Sequence, residues 1–210
     1  MLEIINLEKK YKNQTILSNF NMKLDYPGII FFLGKNGAGK TTFFNCIMGF
    51  EDYQGKIVKP NRIATVLDAS HLYGNLNGLD NIFLLIGRNL LQEEKTILQK
   101  YIDENVLKRK VRSYSLGQKK ILAILIALFT KPELLILDEV SNGLDYETGK
   151  LVKRLMLSCK NEMLILVCGH QFDFYNQILD EVFVINGGTL VQIDRNAFTD
   201  LEHAYEKYVV

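Results

Sequence analysis

The chain has 210 residues, with 25 basic against 24 acidic side chains, a formal charge of +1 and a mean hydropathy of +0.02. That length holds one large domain with a substantial core and excludes a multidomain array. The near-neutral balance excludes the basic excess of a dedicated nucleic-acid binder, so no nucleic-acid partner is expected.

Residues 1–5, Met1-Leu2-Glu3-Ile4-Ile5, do not form the basic and apolar regions of a secretory signal, so the chain is expected to stay inside the cell. Residues 2–7 and 16–24 flank a turn at Tyr11-Lys12-Asn13 and read as a small antiparallel β element. Next, Ile29-Ile30-Phe31-Phe32-Leu33 lacks the alternation of a half-exposed strand, as do residues 134–137, 163–167 and 182–185. Runs of this kind predict parallel strands covered on both faces. Helical patterns at 41–48, 121–129 and 148–159 lie between them, the alternation of an α/β fold with a mainly parallel central sheet flanked by helices. Residues 78–112 are more polar and helical. With the apolar helix that follows, they suggest a helical subdomain at about 78–130 inserted into one domain spanning 1–210. The longest apolar run, 121–129, is far short of the roughly 20 residues that cross a bilayer, so work at a membrane would need another chain. Cys46, Cys159 and Cys168 are odd in number, lack metal-ligand spacing and sit among apolar neighbours, which predicts buried free thiols of the core.

Gly34-Lys35-Asn36-Gly37-Ala38-Gly39-Lys40-Thr41 matches the phosphate-loop pattern between a predicted strand and a predicted helix, the context the motif requires. Glycines let the backbone wrap a polyphosphate, Lys40 reaches its terminal phosphates, and the Thr41 hydroxyl suits Mg²⁺. A chance match in a chain this long is roughly one in a hundred, which makes an ordinary glycine-rich turn the weaker reading. The strand at 134–137 ends in Asp138-Glu139. Alone, such a pair is as readily a solvated strand end. Beside a phosphate loop, Asp138 suits Mg²⁺ and Glu139 suits polarisation of an attacking water. His170 also follows a buried strand, at the end where a parallel sheet places its ligand chemistry. His71 and His203 have no such setting and are assigned no role.

Tyr114-Ser115-Leu116-Gly117-Gln118 opens the apolar helix, so its backbone N–H groups and the Ser115 hydroxyl form a second anion-binding terminus. A chain that already carries a phosphate loop has little use for it, which implies a partner. Lys108-Arg109-Lys110, Arg112 and Lys119-Lys120 flank this segment and are expected to form a solvated charged face; a surface near nucleotide or anionic lipid is the alternative.

In this order, the motifs resemble those of the ATP-binding cassette family over essentially the whole chain, which implies a P-loop NTPase fold. The resemblance implies that Tyr11 stacks on adenine and that Thr42, beside the phosphate loop Gly34, Lys35, Asn36, Gly37, Ala38, Gly39, Lys40 and Thr41, also touches phosphate. It implies that Ser115, Leu116, Gly117 and Gln118 form a signature acting on a partner's ATP, that Asp145 in Ser141-Asn142-Gly143-Leu144-Asp145 lies in a loop crossing the dimer interface, and that His170 is a switch histidine. ATP and Mg²⁺ are then the ligands, with Lys40, Glu139 and His170 catalytic and Thr41, Asp138 and Asp68 at the metal. The partners are a second ATPase subunit, identical or different, and an integral membrane permease that holds the chain on the inner face of the cell membrane. Leu116 replaces the usual glycine, as in antibiotic- and lantibiotic-type exporter subunits; Asp68 stands where glutamine is usual; Val140 replaces a proline. Two rival readings remain: a soluble ATP-driven switch not coupled to transport, and a binding-only cassette paired with an active one.

Overall fold

The computed structural model describes residues 1–67 and 71–210. In chain order the elements are β1 (Leu2–Tyr11), β2 (Gln14–Leu24), β3 (Gly28–Leu33), α1 (Lys40–Met48), β4 (Gln54–Val58), β5 (Ile63–Val66), α2 (Gly78–Ile86), α3 (Gln92–Tyr101), α4 (Glu104–Leu107), α5 (Leu116–Phe129), β6 (Leu134–Asp138), α6 (Tyr146–Cys159), β7 (Leu164–Cys168), α7 (Phe172–Tyr175), β8 (Glu181–Asn186), β9 (Thr189–Ile193) and α8 (Leu201–Tyr208). A six-stranded sheet has the order β5-β6-β7-β3-β8-β9, parallel through β8, with β9 returning antiparallel. Gly187 and Gly188, at φ 57° and 76°, make the two-residue turn between β8 and β9, since that turn type needs positive φ at both positions. The strands β2-β1-β4 form a separate antiparallel sheet.

β3 lies at the centre and is buried throughout, and its side chains are divided between two cores. Ile29, Phe31 and Leu33 face the core shared with α5, α6 and α7, whereas Ile30 and Phe32 face the core shared with α1 and the antiparallel sheet. The period of two along a strand produces this division, and it explains why β3 shows no polar alternation. Phe32 contacts Phe43 and Phe44 of α1, with ring centres 5.3 and 5.5 Å apart, and stacks on Phe183 of β8 at 5.7 Å. On the opposite face Phe31 contacts Tyr175 at 4.9 Å and Phe172 at 6.4 Å. Burying each such ring is worth about 1.5–3 kcal/mol. Neighbouring residues of one strand therefore fix both the helix after the phosphate loop and the helix after His170.

Between β5 and β6 the chain forms α2 to α5. Arg88 braces this region: its Nη1 and Nη2 donate to the two oxygens of Glu94 at 2.7 and 2.6 Å, and Nη2 donates also to the Phe129 carbonyl at 2.9 Å. A buried Glu94 requires such a partner. No helix among the described residues is long and apolar enough to cross a membrane. The three cysteines are free and buried, as expected.

Candidate functional site

β3 delivers the chain at Gly34, and the loop closes on α1 through Gly39 at φ 105°. An added Cβ at Gly39 would stand 2.9 Å from Leu17 Cδ2, so both backbone conformation and space require glycine there. Lys40 is buried, and its Nζ donates to the carbonyls of Gly34 at 2.8 Å and Lys35 at 3.0 Å. The ammonium thus lies within the curl of the loop. The first turn of α1 carries no acidic residue and no side-chain cap, which leaves its N–H donors and the positive end of the helix dipole directed at the loop. Together these groups make a strong anion site.

The carboxyl end of β6 meets this loop from the other side. Thr41 Oγ1 donates to Asp138 Oδ2 at 2.8 Å, and Cys168 Sγ donates to Asp138 Oδ1 at 2.6 Å. Asp138 is in register with Cys168 across the parallel β6–β7 pair, which is how the thiol reaches it. Burial, then the Asp138 charge, hold the Cys168 thiol well above its ordinary range, so it remains protonated and available as a donor. Thr41 and Asp138 bring hard oxygen atoms together, a donor pair that fits Mg²⁺.

Glu139 follows with φ 56°, a left-handed conformation rare for a side chain of this size. Its N–H donates to the Cys168 carbonyl at 3.2 Å. His170 Nε2 lies 3.3 Å from Glu139 Oε1, and Asn142 Nδ2 donates to Oε2 at 2.6 Å. One-atom donors from Asp138, Glu139 and Cys168 all lie within 4.8 Å of one another. Both Glu139 and His170 are part-exposed, so solvent and substrate reach them.

Tyr11 ends β1 with 42% of its surface exposed and with Lys9 Nζ 4.6 Å from its ring centre. Its hydroxyl lies beside Glu51 and Thr42; the Glu51 carboxylate is the main influence raising its pKa. Tyr11 and Thr42 thus share one flank of the phosphate loop. Asp68 lies outside the described residues.

Ser115 caps α5. Its Oγ accepts from Gln118 N at 3.2 Å, while Gln118 Oε1 accepts from Ser115 N at 3.0 Å. Each side chain thus bonds the other residue's backbone N–H rather than the phosphate loop. Leu116 is exposed beside Gly143, where φ is 69° and an added Cβ would be 2.7 Å from Leu116 Cδ2. Gly117 is pressed against α6, an added Cβ falling 2.6 Å from Thr148 Cγ2. Asp145 caps α6 by accepting from Thr148 N at 2.9 Å and Thr148 Oγ1 at 2.8 Å, bonds that hold its pKa below the ordinary carboxylate range.

One expectation needs correction. Lys120 is not on a solvated face: it is 6% exposed and donates to backbone carbonyls next to Glu139, whereas Lys108, Arg109, Lys110 and Arg112 are exposed. Cys168 is the buried free thiol expected, and its Sγ also donates to a site carboxylate. The sequence signals were its place at the carboxyl end of a strand and the spacing of Lys120, which falls three residues after buried Gly117 on the same helix face. His203 joins a local turn, its Nδ1 accepting from Thr199 N at 3.3 Å.

A family model described as ABC transporter matches residues 17–142. The lantibiotic transport ATP-binding protein SrtF of Streptococcus pyogenes is 32% identical, over 100% of this chain and 98% of its own length. The bacitracin transport ATP-binding protein BcrA of Bacillus licheniformis is 29% identical, over 100% of this chain and 74% of its own. A solved structure described as the ATP-binding subunit of an ABC transporter shares the fold at 21% identity, with a TM-score of 0.87 over 99% of this chain and 98% of that one.

Proposed function

Because the chain belongs to the ABC transporter family and is an ATP-binding, ATP-hydrolysing subunit that powers transport, we propose that it works as a head-to-tail dimer in which each copy completes the other's nucleotide site. The observation that carries this reading is the Glu139 carboxylate, gripped by His170 and Asn142 beside the Thr41–Asp138 pair, on the same edge of the sheet as the phosphate loop. Ser115, Leu116, Gly117 and Gln118 form an anion-binding terminus on another element, suited to the γ-phosphate of ATP held by the neighbour.

In this mechanism Gly34, Lys35, Asn36, Gly37, Ala38 and Gly39 wrap the phosphates, Lys40 exchanges its loop carbonyls for phosphate oxygens, and Thr42 adds a hydroxyl donor. Tyr11 offers its ring to the base. When bound, Mg²⁺ would supply charge neutralisation between the phosphates, held by Thr41 and Asp138 directly or through water, with Asp68 as a further oxygen donor. Glu139 accepts a proton from the attacking water while His170 orients Oε1 and Asn142 orients Oε2. Asp145, at the cap of α6, carries the crossing loop to the partner.

Residues 78–130 serve as the helical subdomain, and α2 with the helices after it docks a separate membrane permease, which holds the chain at the inner face of the cell membrane. Similarity to lantibiotic and bacitracin transport subunits, together with Leu116 in the signature, favours export of a peptide antibiotic. The test is Glu139→Gln in saturating Mg-ATP: the variant is expected to retain ATP and elute as a dimer on gel filtration. A persistent monomer would refute the shared site.

A further inference from the structure

We propose that Lys120 is a positioning residue for hydrolysis, a buried clamp that ties the helix carrying the signature to the backbone that aims Glu139. This rests on the functional reading above and extends it to a residue with no place in the motifs. Lys120 is 6% exposed, and its Nζ donates to the carbonyls of Glu139 at 3.3 Å, Val140 at 3.0 Å and Asn142 at 2.5 Å. A buried ammonium needs several acceptors, and here three of them come from one tight turn.

That turn has a backbone problem to solve. Glu139 sits at φ 56°, a conformation that costs about 1–2 kcal/mol for a residue with a Cβ. The turn is closed by Asn142 N donating to the Glu139 carbonyl at 3.1 Å, and the curl points the carbonyls of residues 139, 140 and 142 toward one centre. Without a cation there, converging carbonyl dipoles would repel one another in a buried site. Lys120 therefore stabilises the conformation that places Glu139 Oε1 against His170 and Oε2 against Asn142.

Lys120 also lies just over one turn beyond the Ser115 cap, on a helix whose Gly117 has no space between it and Thr148. A shift of that helix terminus as it engages a neighbour's phosphate is thereby transmitted through Lys120 to the turn bearing Glu139 and on to the loop ending at Asp145. The clamp links the half-site a chain lends to its partner with the hydrolytic group it keeps.

The test uses Lys120→Met, with Lys120→Gln as the variant that keeps a neutral donor. In steady-state ATP hydrolysis, Lys120→Met is expected to lower kcat by ~10- to 100-fold, the loss typical of a misplaced catalytic group, with KM for ATP within about threefold because the phosphate loop is on other elements. Lys120→Gln should fall between it and the parent. In a Glu139→Gln background the same substitution should produce no further loss, because an orientation that no longer matters cannot be lost twice. An unchanged kcat, or an equal loss in both backgrounds, would overturn the proposal.

Hydrogen exchange of the nucleotide-free protein decides the clamp independently. Lys120→Met should accelerate the Glu139 and Asn142 amides about tenfold or more while the β3 amides keep their protection. Unchanged exchange at those amides, or a uniform increase across the chain, would refute the clamp even if the parent protein hydrolysed no ATP, an outcome that would count against the functional reading instead.

Discussion

Cys168→Ala removes the thiol that donates at 2.6 Å to Asp138 Oδ1, on a carboxylate only 6% exposed. A hydrogen bond to a charged group contributes about 1.5–3 kcal/mol. The vacated sulfur site adds roughly 1 kcal/mol for lost packing. The expected destabilisation is therefore ~2.5–4 kcal/mol, which lowers Tm by about 5–15 °C for a chain of this size. Cys168→Ser keeps a donor at nearly the same point and should lose no more than about 1 kcal/mol, whereas Cys168→Val fills the space without donating and should behave much like alanine. Calorimetry of the ligand-free protein measures all three. Asp138 Oδ2 would also lose its fixed direction toward Thr41, so the Mg²⁺ concentration giving half-maximal hydrolysis should rise several-fold in the alanine and valine variants alone. If serine were as damaging as alanine, the reasoning would fail, because loss of packing and not loss of a donor would then explain the effect.

Other consequences are equally direct. His170→Ala is expected to bind ATP with little change in affinity yet hydrolyse it ~10²- to 10⁴-fold more slowly, since in the proposed mechanism its task is to orient Glu139; parallel nucleotide-binding and turnover measurements check this. Burial pushes the Cys46 and Cys159 thiols up to about 11, so neither should react with iodoacetamide at pH 8 until the protein unfolds, and mass spectrometry of the alkylated chain reads the result. The same shifts give an alkaline dependence of stability. Both folded pKa values are raised, so the contribution is fully present below the unfolded thiol value of about 8.5 and is lost as pH rises through about 11, a decline visible in Tm across that window. Gly117→Ala places a methyl group 2.6 Å from Thr148 Cγ2 and should destabilise by about 1–3 kcal/mol. Adding Thr148→Ala should recover part of that loss in denaturant titrations.

Much of the architecture was legible because fully covered strands write themselves as unbroken apolar runs. The runs at 29–33, 134–137, 163–167 and 182–185 correspond to β3, β6, β7 and β8. β5 and β9 left weaker traces: their side chains are mostly half-buried or exposed, since both strands lie at sheet edges. The α8 helix was equally obscure, because its charged residues Glu202, Glu206 and Lys207 outweigh the buried Leu201 and Ala204. α5 begins at Leu116, well before its apolar run, because the Ser115–Gln118 capping box starts the helix among polar residues. At the site, motif spacing named the phosphate loop, Asp138-Glu139 and His170. It concealed Cys168 and Lys120, the first by apolar neighbours and the second by pairing with half-buried Lys119. Whether a polar atom in such company is solvated or bonded depends on strand register and helix phase, which only the assembled fold supplies.

The central place of β3 has a consequence for how the chain is made. Its neighbours in the sheet are β7 and β8, so Gly28 must wait for Leu164, and Ile30 for Glu181, before pairing. At ribosomal speeds that delay is on the order of ten seconds, during which Ile-Ile-Phe-Phe-Leu has both edges open. The strand that carries the phosphate loop is thus the part of the sheet that waits longest for its partners and the segment of the nascent chain most in need of protection from its neighbours.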